Sequence, residues 1–155
     1  MMQSSWLKQS LPIAAIFAFR MLGLFMLIPV FSIYGQDLSG ATPILIGIAI
    51  GAYGFSQGLM QMPFGILSDY YGRKRLIIIG SILFALGSLL GACTHSIFGM
   101  IWARTIQGMG AVGSVLIALI ADNIEDKNRP KAMAIVGMSI GISFAISMIL
   151  SPIIA

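Results

Sequence analysis

The sequence predicts an all-α membrane protein built from five transmembrane helices, and three observations predict it. Of its 155 residues 58% are hydrophobic and only 9% charged, and the mean hydropathy is +0.97. These values lie outside the range of soluble domains. The apolar residues fall in runs able to cross a hydrocarbon core of about 30 Å at about 1.5 Å of helical rise per residue. The loop cations collect in two short segments between those runs, and the other two connections carry none. A net charge of +4 raises nucleic acid as a partner. The cations stand between apolar runs rather than on one face, so membrane topology accounts for them and nucleic acid does not.

The expected spans follow in order. Span 1 covers residues 11–33. A signal peptide is excluded by Arg20 within it and by the absence of a small-residue cleavage site. Residues 34–43 hold Asp37 and no cation, so this connection faces outward. Span 2 is 44–67, span 3 is 76–92, and the neutral turn Cys93-Thr94-His95-Ser96 lies between spans 3 and 4. Span 4 is 97–121. A second charged loop with Lys127, Arg129 and Lys131 leads into span 5, residues 132–155. Both cation-bearing loops fall on one side, which the positive-inside rule makes cytoplasmic. The expected topology has the amino end in the cytoplasm and the carboxyl end outside. A single cysteine, Cys93, rules out an internal disulfide.

The sharpest polar event is Gly65-Ile66-Leu67-Ser68-Asp69-Tyr70-Tyr71-Gly72-Arg73-Lys74-Arg75. Gly65 and Gly72 permit a tight turn or a close helix approach, and Asp69 lies within reach of Arg73 and Arg75. A bare cluster of cations would be a topogenic loop solvated by headgroups; the full pattern is more specific. It resembles the signature loop between helices 2 and 3 of the major facilitator superfamily, with Ser68 and Tyr70 in place of the usual Ala and Arg. Further segments resemble bacterial inner-membrane members of that family. They are Phe19-Arg20-Met21-Leu22-Gly23 with Pro29, Leu45–Gly51, and Asn128-Arg129-Pro130-Lys131-Ala132-Met133.

The resemblance implies helices 1 to 5 of a six-helix amino-terminal domain, one complete three-helix repeat and most of a second. It implies secondary active transport in the bacterial inner membrane: proton-coupled efflux of small molecules or drugs, with a proton gradient as energy source and no cofactor. The alternative reading is a truncated, non-transporting fragment, or a membrane subunit that needs a partner chain to supply the other half.

Gly108-Met109-Gly110-Ala111-Val112-Gly113 matches the dinucleotide fingerprint but lies inside an apolar run with no preceding strand, so it is a decoy. With its flank, Arg104-Thr105-Ile106-Gln107-Gly108 is similar to the family's helix 4 motif. That similarity implies a substrate and proton path through Arg104 and Gln107, with Arg20 as the second arginine at membrane depth. A charge there costs about 2.5–3.5 kcal/mol and calls for a polar cavity or a partner. Each arginine could instead tie helices together through backbone carbonyls. Asp122 ends span 4 on the same side as the signature loop. In the family such an acid pairs with the loop arginine, which makes Gly65, Asp69, Gly72, Arg73 and Asp122 a conformational latch; a solvated helix-end charge is the other reading.

Two small-residue stripes, Gly47/Gly51/Gly54/Gly58 and Ser139/Ser143/Ser147/Ser151, have the spacing of close helix packing. Ser147 and Ser151 replace glycines of the family's antiporter helix 5 signature, and Pro152 is retained. His95 is in a turn with nothing to make it a ligand or base. No metal constellation, nucleophile–base pair or phosphate loop is legible, so the chain is read as no enzyme. The expected partners are the lipid bilayer and a small-molecule substrate.

Overall fold

The computed structural model describes residues 5–154. Helix α1 (Ser5–Tyr34) runs into a 3-10 turn, Gly35–Asp37, and α2 (Pro43–Tyr71), α3 (Arg73–Cys93), α4 (Ile97–Met109), α5 (Gly113–Asn123) and α6 (Arg129–Ile154) follow. Five stretches have membrane length and hydropathy, α4 and α5 forming one of them over Ile97–Asn123. The fold class is therefore the expected one. Large apolar side chains such as Phe19, Ile44, Phe55 and Met62 stand exposed on these helices, a surface suited to lipid and not to water.

Three details differ from the expectation. First, α1 is helical from Ser5 among the described residues, ahead of the expected span 11–33. Second, the basic hairpin is not a loop. Gly72, with φ +92°, is the whole connection between α2 and α3. Its N–H donates to the Ser68 carbonyl at 3.1 Å and its carbonyl accepts from Leu76 at 3.4 Å. One residue thus takes a bond from each helix end, in a conformation that only glycine adopts without strain. Arg73, Lys74 and Arg75 consequently form the first turn of α3. Third, span 4 is interrupted at residues 110–112, where Val112 N–H turns back to the Gly110 carbonyl at 2.8 Å.

The chain divides into two compact units. One holds Ser32–Leu116, that is α2, α3, α4 and the start of α5. Its centre is α4, which belongs to the span with the largest buried share, 44% against 17–22% for the others. Glycines set its contacts. A Cβ on Gly87 of α3 would lie 2.5 Å from the Gln107 nitrogen and 2.7 Å from the Ala103 oxygen. Gly110 abuts the Gly80 backbone, and Gly108 abuts Tyr53 and Ser56 of α2. Contacts rising together along α2 and α4 make these helices parallel; those between α3 and α4 run oppositely. That alternation is what successive membrane crossings require. Phe64, Leu76 and Val115 form the apolar core beneath, with Met60, Ile77 and Leu83 packed on it. At the other end Ser39 clamps the α1–α2 and α3–α4 connections together. Its N–H donates to the His95 carbonyl at 2.9 Å, and its own carbonyl accepts from Ile97 at 3.1 Å. Thr42 then caps α2 through Leu45 N–H at 3.2 Å, with Pro43 at the first helical position.

The glycine stripe of α2 does not take part in this packing. Gly47, Gly51, Gly54 and Gly58 have no heavy atom within 4 Å of where a Cβ would stand. The close approaches use Gly80, Gly87, Gly108 and Gly110 instead.

The second unit holds residues 5–31 and 117–154 among those described. Here α1 and α6 lie parallel, joined by hydroxyls. Ser143, Ser147 and Ser151 donate to the carbonyls of Ala18, Leu22 and Met26 at 3.0, 3.1 and 3.2 Å. The four-residue spacing is the same on both helices, so one face of each keeps register with the other. Phe25 and Phe144 meet edge to face, 5.1 Å between centroids. Arg129 closes the preceding helix end, its Nε donating to the Ile124 carbonyl at 3.1 Å and its Nη2 to that of Ala121.

Candidate functional site

Arg104 and Gln107 lie three residues apart on α4 and so share a face. They are 2% and 3% exposed. Arg104 Nη1 donates to Gln107 Oε1 at 2.6 Å. Gln107 Nε2 donates to Ser88 Oγ of α3 at 2.9 Å, and Ser88 Oγ donates to the Phe84 carbonyl at 2.8 Å. On the other side the guanidinium carbon sits 5.0 Å from the centroid of the Tyr53 ring of α2. Ser56 shares its hydroxyl between the Tyr53 and Thr105 carbonyls at 3.2 and 2.9 Å, fixing α2 against α4 beside the arginine.

Magnitudes show what this arrangement does. A hydrogen bond between membrane helices contributes about 0.6 kcal/mol on average, and a desolvated cation–π contact about 2 kcal/mol. Together they offset most of the roughly 3 kcal/mol that a buried arginine costs. The charge is tolerated but not neutralised. Among the described residues no acid forms an ion pair with Arg104, and its Nε–H is buried without a hydrogen-bond acceptor. A buried donor on an uncompensated cation is equipped to receive an anionic or acceptor group.

Arg20 is buried on α1, in the other unit. Of the signature-loop residues, Asp69 and Arg73 form an ion pair at 2.6 Å across one helical turn and Gly72. Arg73 also donates to Ser68 Oγ, and that hydroxyl donates to the Gly65 carbonyl at 2.6 Å. A Cβ on Gly65 would stand 3.9 Å from Ser114 Oγ, so α5 passes close by. Asp122 is exposed near the end of α5, in the other unit.

Tyr53, Ser56 and Ser88 are absent from the residues singled out in the sequence, and Ser68 figures there only as a departure from the signature pattern. A signal for the α2 pair exists: Tyr53, Ser56, Gln57 and Gln61 recur with helical period inside an apolar run. For α3 it is the repeat Gly80-Ser81, Gly87-Ser88, seven residues apart, which places a hydroxyl beside each close-packed glycine.

A bundle of membrane-length helices holding a buried, hydrogen-bonded cation defines a polytopic membrane protein with a polar site in its interior. The model of the Major Facilitator Superfamily matches residues 13–155, and the chain belongs to that family of transporters. It is 51% identical over 142 residues to the inner membrane transport protein YajR of Escherichia coli, covering 92% of this chain and 31% of that protein. It is 48% identical over 149 residues to an uncharacterized transporter of Buchnera aphidicola, covering 96% of this chain and 38% of the relative. The quinolone resistance protein NorA of Staphylococcus aureus is 36% identical over 103 residues, 65% of this chain and 26% of NorA. The chain thus spans about a third of the length of the curated relatives it matches.

Proposed function

We propose that this chain is the first five helices of the amino-terminal domain of a secondary active transporter that exports small molecules using a proton gradient as its energy source. The observation that carries the reading is Arg104: a cation at membrane depth, held by an amide and a ring, with a buried N–H that has no acceptor. Arg104 meets substrate or a proton-carrying acid, Gln107 shares the site, and Arg20 contributes from α1. Gly65, Asp69, Gly72, Arg73 and Asp122 act as the latch that favours one state of alternating access. The relatives named for transport and for quinolone resistance support small, partly apolar drugs as the substrate class. The protein sits in the inner membrane with its amino end cytoplasmic.

The test is efflux of ethidium and of a fluorescent quinolone by the full-length protein under an imposed pH gradient. Arg104→Ala abolishes gradient-driven movement while membrane insertion and abundance stay near normal. Normal transport by Arg104→Ala would show that the arginine only ties helices together.

A second reading, favoured by the span of about a third of its relatives' length, is that these helices transport nothing by themselves. They then require a partner chain or further helices to complete the path.

A further inference from the structure

We propose that Tyr53 and Ser88 are positioning residues for Arg104. Tyr53 fixes the plane of the guanidinium, and Ser88 fixes which way the Gln107 amide points. The inference rests on the reading of Arg104 as part of the transport path.

A serine hydroxyl has one proton to give, and Ser88 gives its proton to the Phe84 carbonyl at 2.8 Å. Toward Gln107, Ser88 Oγ can therefore only accept. The Gln107 NH2 must face Ser88, and its oxygen must face Arg104, as the distances of 2.9 and 2.6 Å show. Donation thus runs one way, from Arg104 through Gln107 and Ser88 to a backbone carbonyl of α3. Without the Ser88 hydroxyl the Gln107 NH2 loses its acceptor, and the amide keeps only one of the two contacts that hold its oxygen toward the cation.

Tyr53 acts on the opposite side. A flat ring 5.0 Å from the guanidinium carbon favours one orientation of a flat ion, and a lysine in the same place would have no plane to align. With Nη1 committed to Gln107 and the ring setting the plane, the direction of the unpartnered Nε–H is fixed before any ligand arrives. Ser56 and Gly108 hold the Tyr53 backbone against α4, so the base of the ring keeps its place beside the arginine. Preorganisation of this kind raises the efficiency of a site without adding a contact to the ligand.

The experiment is ethidium efflux by the full-length protein under a pH gradient, with abundance in the membrane measured for each variant. Tyr53→Leu, which keeps apolar bulk and loses the ring, lowers the rate at least tenfold. Tyr53→Phe, which keeps the ring, restores most of it. In an Arg104→Lys background Tyr53→Leu has no further effect, because its target plane is gone. Ser88→Ala lowers the rate severalfold, and adds nothing to Gln107→Ala. If Tyr53→Leu fails to accumulate, the Ser88→Ala and Gln107→Ala pair decides alone. Equal behaviour of Tyr53→Leu and Tyr53→Phe, or additive effects of Ser88→Ala and Gln107→Ala, would overturn the inference. Loss of efflux in Arg104→Ala with normal efflux in Tyr53→Leu sinks the positioning role only. Normal efflux in Arg104→Ala, or a parent protein that does not move ethidium, sinks the reading of the site and this inference with it.

Discussion

At the scale of single residues, the choice of arginine over lysine at position 104 has a physical reason. A guanidinium can stack on Tyr53, donate to Gln107 and still hold out a third N–H; an ammonium offers a point charge without a plane. Arg104→Lys in the full-length protein should therefore insert normally and transport poorly, at least tenfold below the parent in the efflux assay. Parent-like rates would mean that charge alone suffices. Asp69 calls for a different expectation. Its side chain is 61% exposed and that of Arg73 19%, and ion pairs of this kind contribute about 0–1 kcal/mol. Asp69→Asn should accordingly leave the stability of this segment almost unchanged. Its effect should instead appear as a shift toward the inward-facing state, read as an altered distance distribution across the cytoplasmic face. An unaltered distribution would reduce Asp69 to a solvated charge. Arg104 and Asp69 were legible because charge in an apolar sequence is conspicuous. Tyr53 and Ser88 were not, because a ring or a hydroxyl in a membrane helix has several uses, and only the packing of α2 and α3 against α4 selects one.

At the scale of elements, the glycines separate into two classes with opposite expected responses. Gly87→Ala places a methyl group 2.5 Å from a backbone nitrogen and 2.7 Å from a carbonyl oxygen of α4. Neither backbone can yield, so a loss of about 1–3 kcal/mol follows. Gly51→Ala meets nothing within 4 Å, and replacing glycine in a helix interior should stabilise by up to about 1 kcal/mol. Thermal unfolding midpoints in detergent for the two variants test this contrast. A drop for Gly51→Ala matching that of Gly87→Ala would mean that the α2 stripe is packed after all. Spacing alone suggested the stripe, since small residues four apart fit any close helix pair. Which stripe is used depends on the neighbour, and one helix sequence does not name its neighbour. The break at Gly110 was hidden for a related reason. Apolar residues continue through it, and the close approach of the Gly80 backbone at that point is invisible in the α4 sequence. The helices themselves were legible because membrane-length apolar runs have one economical solution in lipid.

At the scale of the whole molecule, loop charges set the expected orientation, and chemical labelling checks it. Cys93 stands exposed at the end of α3 and should react with a membrane-impermeant maleimide applied from the periplasm. A cysteine placed by Tyr71→Cys should react only after permeabilisation. The reverse pattern would invert the topology. Proteoliposomes decide whether these helices belong to a proton-driven transporter and are unable to transport alone. Residues 1–155 and the full-length protein should be reconstituted side by side with a pH gradient and ethidium. The full-length protein should show gradient-dependent dye movement, abolished by a protonophore, and residues 1–155 none, because alternating access needs two domains around a shared site. Gradient-dependent movement by residues 1–155 alone, or movement by the full-length protein that ignores the gradient, would contradict that reading.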